Sequence, residues 1–184
     1  MRLLVNDTNA AVEDIPFRLL IMVLILAGTV AIATSGITKI SELNMQNKLT
    51  EEMNSLGEVA LATSSSGSGT TIHYVIELPH TEAVSVSELK IGGDVSNDAD
   101  PFSSTFRIEL TNGRSIIGTL TPGHHELNIT NAKADGPYIP PINNGKIAVT
   151  LVAIDCHNQN LIIMMNQHEF QNFDKNTILN NYEC

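Results

Sequence analysis

His124-His125 follow a Pro-Gly turn, and Asp155-Cys156-His157 close a predicted strand, so both places hold side chains able to ligate a metal. A metal centre needs those side chains to converge from defined spacings. Neighbouring residues on a strand point to opposite faces, so His124 and His125 diverge. No C-x-x-C and no H-E-x-x-H accompanies them. The loop Asp94-Val-Ser-Asn-Asp-Ala-Asp100 is rich in oxygen donors but lacks the central Gly and terminal Glu of a calcium loop, and it reads as a solvated acidic turn. Met164-Met165 reads as strand core, not as a soft-metal ligand pair. Gly67-Ser68-Gly69 is not preceded by a strand and opens no helix, which separates it from a phosphate-binding loop. No G-x-S-x-G is present either. The expectation is therefore no catalytic residue, no metal, no cofactor and no enzyme activity.

Two further features carry covalent chemistry. Cys156 and Cys184 are the two cysteines. In an exported domain one disulfide between them would pin the C-terminus to the sheet, and two unrelated thiols are the alternative. Asn128-Ile-Thr130 and Asn6-Asp-Thr8 match the glycosylation acceptor pattern, and Asn128 is the candidate on the far side of the apolar segment.

That segment is the strongest signal in the chain. From Leu19 to Ala33 the sequence is almost wholly apolar, broken by Gly28 and Thr29, and with Phe17 and residues 34–37 it reaches the roughly 20 residues that cross a bilayer core. A cleaved secretory signal has a shorter apolar part after a basic start, and only Arg2 is basic in the first 17 residues, so the segment reads as retained. Glu13 and Asp14 stand directly before it. A carboxylate beside an apolar helix is costly in lipid unless it sits at the interface or a partner chain neutralises it. Arg2 and Arg18 before the run balance Lys39 and Lys48 after it, so the flanking charges leave the orientation open. The net charge is −10, with six basic against thirteen acidic residues over 63–184. So acidic a distal part argues against a nucleic-acid face, which needs clustered Lys and Arg.

Four zones position these residues. Residues 1–15 form a short polar leader. Residues 16–62 read as one long helix, with Asp14 as N-cap and Pro16 in the first turn. It is apolar all round at first. It then becomes amphipathic through Ile37, Ile40, Leu43, Leu49, Met53, Leu56 and Val59/Ala60, and Gly36 and Gly57 mark points of bending or fraying. Residues 63–70, Thr-Ser-Ser-Ser-Gly-Ser-Gly-Thr, read as a flexible linker or as an extended loop laid on the next domain. Residues 71–184 carry seven short β-branched or alternating runs at 71–78, 83–91, 105–110, 115–121, 125–130, 146–154 and 160–166. Asn112-Gly113 is a hairpin signal between the third and fourth. The fold class expected is α+β: a long N-terminal helix followed by an antiparallel β-sandwich-like domain.

A short polar leader, the stretch Ala10-Ala11-Val12-Glu13-Asp14, the long apolar helix and a distal β-rich domain together resemble archaeal type IV pilin-like proteins, including archaellins. The likeness is detailed over residues 1–62 and architectural beyond them. It implies a class III signal peptide cut by a prepilin peptidase near Ala10-Ala11, ahead of the apolar segment. Glu13 would then lie close to the new N-terminus in the family's assembly role, with Asp14 beside it. It further implies a membrane-held precursor with an extracellular C-terminal domain. After assembly the chain would lie in a cell-surface filament, as a homo- or hetero-oligomer with other pilin-like subunits. Asn9 before the small pair, and Pro16 and Arg18 at the start of the apolar run, depart from the family's pattern. The competing expectation is a single-pass anchored β-domain that binds a ligand or partner protein. Its cue, an aromatic-lined face, is poorly supplied by three Tyr, five Phe and no Trp.

Overall fold

A computed structural model of the chain describes residues 8–81, 84–93, 103–120, 127–142, 145–156 and 159–174, with backbone alone for 8–15, 156, 159 and 160. The described elements run α1 (Thr8–Ser65), β1 (Thr71–Glu77), β2 (Val86–Ile91), β3 (Thr105–Leu110), β4 (Ser115–Thr119), β5 (Asn128–Asn131), β6 (Lys146–Cys156), β7 (Gln159–Met165) and α2 (Gln167–Gln171). The chain divides into two compact units, Met1–Leu43 and Asn44–Cys184.

α1 begins at Thr8, ahead of the expected start, and Pro16 lies inside it. Asp14 therefore has helical backbone and does not cap the helix. Proline lacks an N–H and clashes with the preceding turn, so eight helical residues before Pro16 are an expensive continuation that sequence rules do not favour.

In the second unit the strands form two sheets, one in the order β1-β6-β7-β5 and one in the order β2-β3-β4. Each of the seven expected runs overlaps one of the seven described strands. β1 pairs antiparallel with β6 (Tyr74 opposite Val149, Ile76 opposite Ile147), and β6 antiparallel with β7 (Val152 opposite Ile163). β5 departs from the all-antiparallel expectation and pairs parallel to β7, with Ile129 opposite Ile162. β2, β3 and β4 form an antiparallel meander centred on Leu89, Ile108 and Ile116. The β3–β4 turn is a three-residue loop. The Gly113 N–H donates to the Leu110 carbonyl (2.9 Å), and the Leu110 N–H donates to the Arg114 carbonyl (2.8 Å). Gly113 has φ 80°, the left-handed position that this hairpin loop reserves for glycine.

β6 and β7 are buried on both faces, which is why they read as continuous apolar runs. Ile147, Val149, Leu151, Ala153, Ile162 and Met164 point into one cluster, shared with Ile76, Phe106, Ile108, Ile129 and the helix residues Met45, Leu49, Met53, Leu56 and Ala60. Val152, Ile154, Leu161, Ile163 and Met165 form a second cluster on the other face, under Phe170 and Phe173. Met164 and Met165 are both fully buried, on opposite faces. α2 covers part of that second face. Its Asn166 N-cap accepts from the Glu169 N–H (2.8 Å), while Glu169 accepts from the Asn166 N–H (2.8 Å), a reciprocal capping box.

Residues 45–60 of α1 are thus the helical wall of this domain's core. The spacing Met45, Leu49, Met53, Leu56, Ala60 is the i, i+4, i+3 stripe of a helix with one buried face. Gly57 lies on that face, and a Cβ built there would fall 1.9 Å from the Leu120 carbonyl oxygen. It is a close-approach residue, not a fraying point. Gly57→Ala gains about 1 kcal/mol of helix propensity but forces the Leu120 backbone away, an overpacking loss of about 1–3 kcal/mol. The expected net result is a less stable domain, read as a lower urea midpoint.

Residues 63–70 make specific bonds to the sheet. Thr63 and Ser64 are buried. The Gly69 N–H donates to the Ala153 carbonyl (2.8 Å), the Ala153 N–H to the Thr70 carbonyl (2.9 Å), and the Asp155 N–H to Ser68 Oγ (3.2 Å).

Tyr138 is buried, and among the described residues its hydroxyl has no hydrogen-bond partner. Burial first, then the Glu169 charge, hold the phenol well above its ordinary pKa. Removing an unpaired buried hydroxyl relieves a desolvation penalty, so Tyr138→Phe is expected to raise domain stability by about 1 kcal/mol in a denaturant melt.

Candidate functional site

The candidate site is the apolar part of α1 in the first unit. Among the described residues this is the one helix long and apolar enough to cross a membrane, and its apolar window is not buried at all. Leu19 to Leu26 are all exposed, on every side of the helix, as are Phe17, Val30, Ile32, Ile37, Ile40 and Leu43. Burying one such side chain is worth about 1.5–3 kcal/mol. The run therefore represents on the order of 20 kcal/mol of unfavourable contact with water, far beyond the patch a soluble monomer shows. It requires an apolar phase or apolar neighbours.

The polar groups in the run are satisfied from within. The Thr29 hydroxyl donates to the carbonyls of Leu26 (2.8 Å) and Ile25 (3.0 Å), and Thr34 donates to Ala31 and Val30 (both 3.0 Å). Ser35 donates to Ile32 (2.9 Å), and Thr38 to Ser35 (2.9 Å) and Thr34 (3.2 Å). Such back-bonding lets hydroxyls enter a medium that offers no water. Sequence reading takes Thr29 only as an interruption of the run and residues 34–37 only as its extension, although threonine and serine inside an apolar run are the signal for such back-bonding.

Ala10, Ala11, Glu13 and Asp14 lie within α1, whose backbone is helical there; their side chains fall outside the described residues. Cys156 is the last residue of β6, and Cys184 lies outside the described residues, as do the 94–100 loop, His124-His125 and His157. Asn128 opens β5. Its sequon partner Thr130 is fully buried and donates to the Gly136 carbonyl (3.1 Å), so the hydroxyl of the acceptor motif is engaged inside the folded domain. Among the described residues no three His, Cys, Asp or Glu side chains converge.

One open cleft of about 530 Å³ lies in the second unit, bordered by Lys48, Glu51, Glu52, His80 and Lys146. Two of its border residues, Lys146 and Glu52, are engaged by neighbours. Lys146 Nζ lies 2.7 Å from Glu77 Oε1, and this contact holds Glu77 below and Lys146 above their ordinary pKa values. Glu52 Oε1 accepts from the Glu77 N–H (3.0 Å) and from the Tyr74 hydroxyl (3.3 Å). Glu52→Ala is expected to cost about 1 kcal/mol for the lost bonds, with Glu52→Gln retaining an acceptor and most of the stability.

Comparison with family models, with curated proteins and with solved structures finds no match. Among the described residues, fold and geometry define an N-terminal helix long and apolar enough to cross a membrane and an α+β domain of two antiparallel-rich sheets.

Proposed function

We propose that this protein is a pilin-like structural subunit, major or minor, of an archaeal cell-surface filament, assembled through its N-terminal helix. The exposed apolar length of α1 carries the reading: its large apolar side chains from Phe17 to Leu43 are exposed, and the first helix residue in the domain's buried cluster is Met45. In the precursor the membrane takes the remainder, and in the filament neighbouring helices do. Cleavage near Ala10-Ala11 by a prepilin peptidase leaves Glu13 near the new N-terminus, where a neighbouring subunit's amine neutralises it. The two sheets, which both feed the cluster around Met53 and Ile108, form a sandwich-like domain carried outside the cell. The protein catalyses no reaction and needs no cofactor.

Mass spectrometry of the chain purified from its host tests this reading. An N-terminus at or within a residue of Ala11 is the expected result; intact Met1 throughout the population contradicts cleavage. A permanently anchored ectodomain with a binding role is then the reading that survives.

A further inference from the structure

A sheet edge carries unpaired backbone groups, and chains that stay single blunt it with charge, proline, a bulge or a cover. Among the described residues, three of the four edges are blunted. β2 has a register shift between Val86 and Glu88 and bears the charges of Glu88 and Lys90. β5 is four residues long, and its Ile129 exchanges bonds with Ser103 (3.2 and 3.5 Å). In β1 the outward Glu77 N–H is taken by Glu52 Oε1 (3.0 Å), and Lys146 holds the Glu77 side chain. β4 is bare. The Leu110 N–H donates to the Arg114 carbonyl and the Leu120 N–H to the Ser104 carbonyl (both 2.8 Å). Bonding to β3 therefore uses the even-numbered residues, and the N–H and C=O groups of Ser115, Ile117 and Thr119 point away from it. Among the described residues these groups have no partner, and all three residues are exposed. β4 has no charge, no proline and no register shift. At its centre Ile117 is 58% exposed.

We infer that β4 is a strand-pairing surface for a second copy of this chain, antiparallel and centred on Ile117, so that the two three-stranded sheets join into one. The outward residues read alike from either end: Ser115, Ile117, Thr119. Laid against itself about a two-fold axis, Ile117 exchanges both backbone bonds with its counterpart, and Ser115 stands opposite Thr119. One apolar cross-strand pair then lies between two hydroxyl pairs. A charged partner strand finds no counter-charge on this edge, whereas a second copy needs none. The nearest basic residue in the chain, Arg114, falls about 20 Å from its counterpart along the paired strands, beyond the reach of repulsion in physiological salt. The inference does not rest on the proposed function: it requires no membrane, no cleavage and no fibre.

Full-length chains carrying Ser115→Cys, Ile117→Cys or Thr119→Cys, expressed singly or in pairs, are oxidised in intact host cells. The joining peptide, read by mass spectrometry, sets aside Cys156 and Cys184. In the inferred register the two 117 positions stand about 5.5 Å apart at Cα, within disulfide reach. Two 115 positions, or two 119 positions, stand about 14 Å apart. Ile117→Cys is therefore expected to cross-link alone. Ser115→Cys and Thr119→Cys are expected to cross-link only when co-expressed, and then to each other. Adding Ile117→Lys to that co-expressed pair sets like charges at the axis and is expected to lower the cross-link several-fold, with the circular dichroism of the purified chain unchanged. Self-cross-linking at 115 equal to that at 117, none at any position, indifference to Ile117→Lys, or capture of a different protein at 117 overturns the inference. Intact Met1 together with the register-specific pattern supports the inference and overturns cleavage alone. A cleaved, fibre-borne chain without the pattern overturns the inference alone.

Discussion

Replacing Leu24 and Leu26 together with arginine is expected to abolish stable membrane insertion, while either single replacement only weakens it. On an insertion scale each Leu, Ile, Phe or Val contributes about −0.3 to −0.6 kcal/mol, and an arginine at the helix centre costs about 2.5–3.5 kcal/mol. The nine aliphatic residues from Leu19 to Ile32 on that scale supply about −4 kcal/mol, so one arginine brings the balance near zero and two carry it well past. The measurement is retention in alkali-washed membranes. Because the domain's core begins at Met45, the strand signal in circular dichroism should be unchanged. Full retention of the double variant would show that this helix is not what holds the chain to the membrane.

Leu56→Ala should act on the other unit. Leu56 is fully buried between the helix and the sheets. Truncating such a side chain removes its transfer energy and leaves a cavity, a loss of about 2–5 kcal/mol. That is a large share of the 5–15 kcal/mol that a typical domain has in total. A denaturant melt in detergent, followed by circular dichroism, reads it. Leu43→Ala, on an exposed side chain of the same helix, should leave that melt in place. An equal loss from both variants would mean that the two stretches of α1 share one environment.

The contrast between those two leucines shows what the sequence could and could not disclose. The periodic apolar positions from Ile37 to Ala60 form one uninterrupted series on the page. Nothing local says that the buried part of the series begins at Met45, because burial there is decided by strands that are distant in sequence. The strands were legible one by one, since alternation in Phe106-Arg-Ile-Glu-Leu110 and the unbroken run of β7 are local patterns. The parallel pairing of β5 with β7 was not, because strand partnership is a long-range choice that a four-residue strand does not encode. α2 had a readable signal that was passed over: Asn166 followed three residues later by Glu169, a capping box in front of a short helix. Gly57 was misread for a related reason. A glycine within a helical pattern looks like weakness until the Leu120 carbonyl is seen against it.

Of the candidate site, the apolar run was fully legible, because a stretch of this length needs no tertiary partner to be recognised. The acids before it were legible as an oddity, and the role proposed for them comes only through the resemblance to pilin-like proteins.

Electron microscopy of surface fibres sheared from the host, with peptide identification of their subunits, tests the central claim most directly. The account predicts fibres that contain this chain, with residues 17–43 sequestered from protease in the fibre. Recovery of the chain solely as a detergent-soluble monomer, absent from every fibre and with residues 37–43 open to protease, would contradict it.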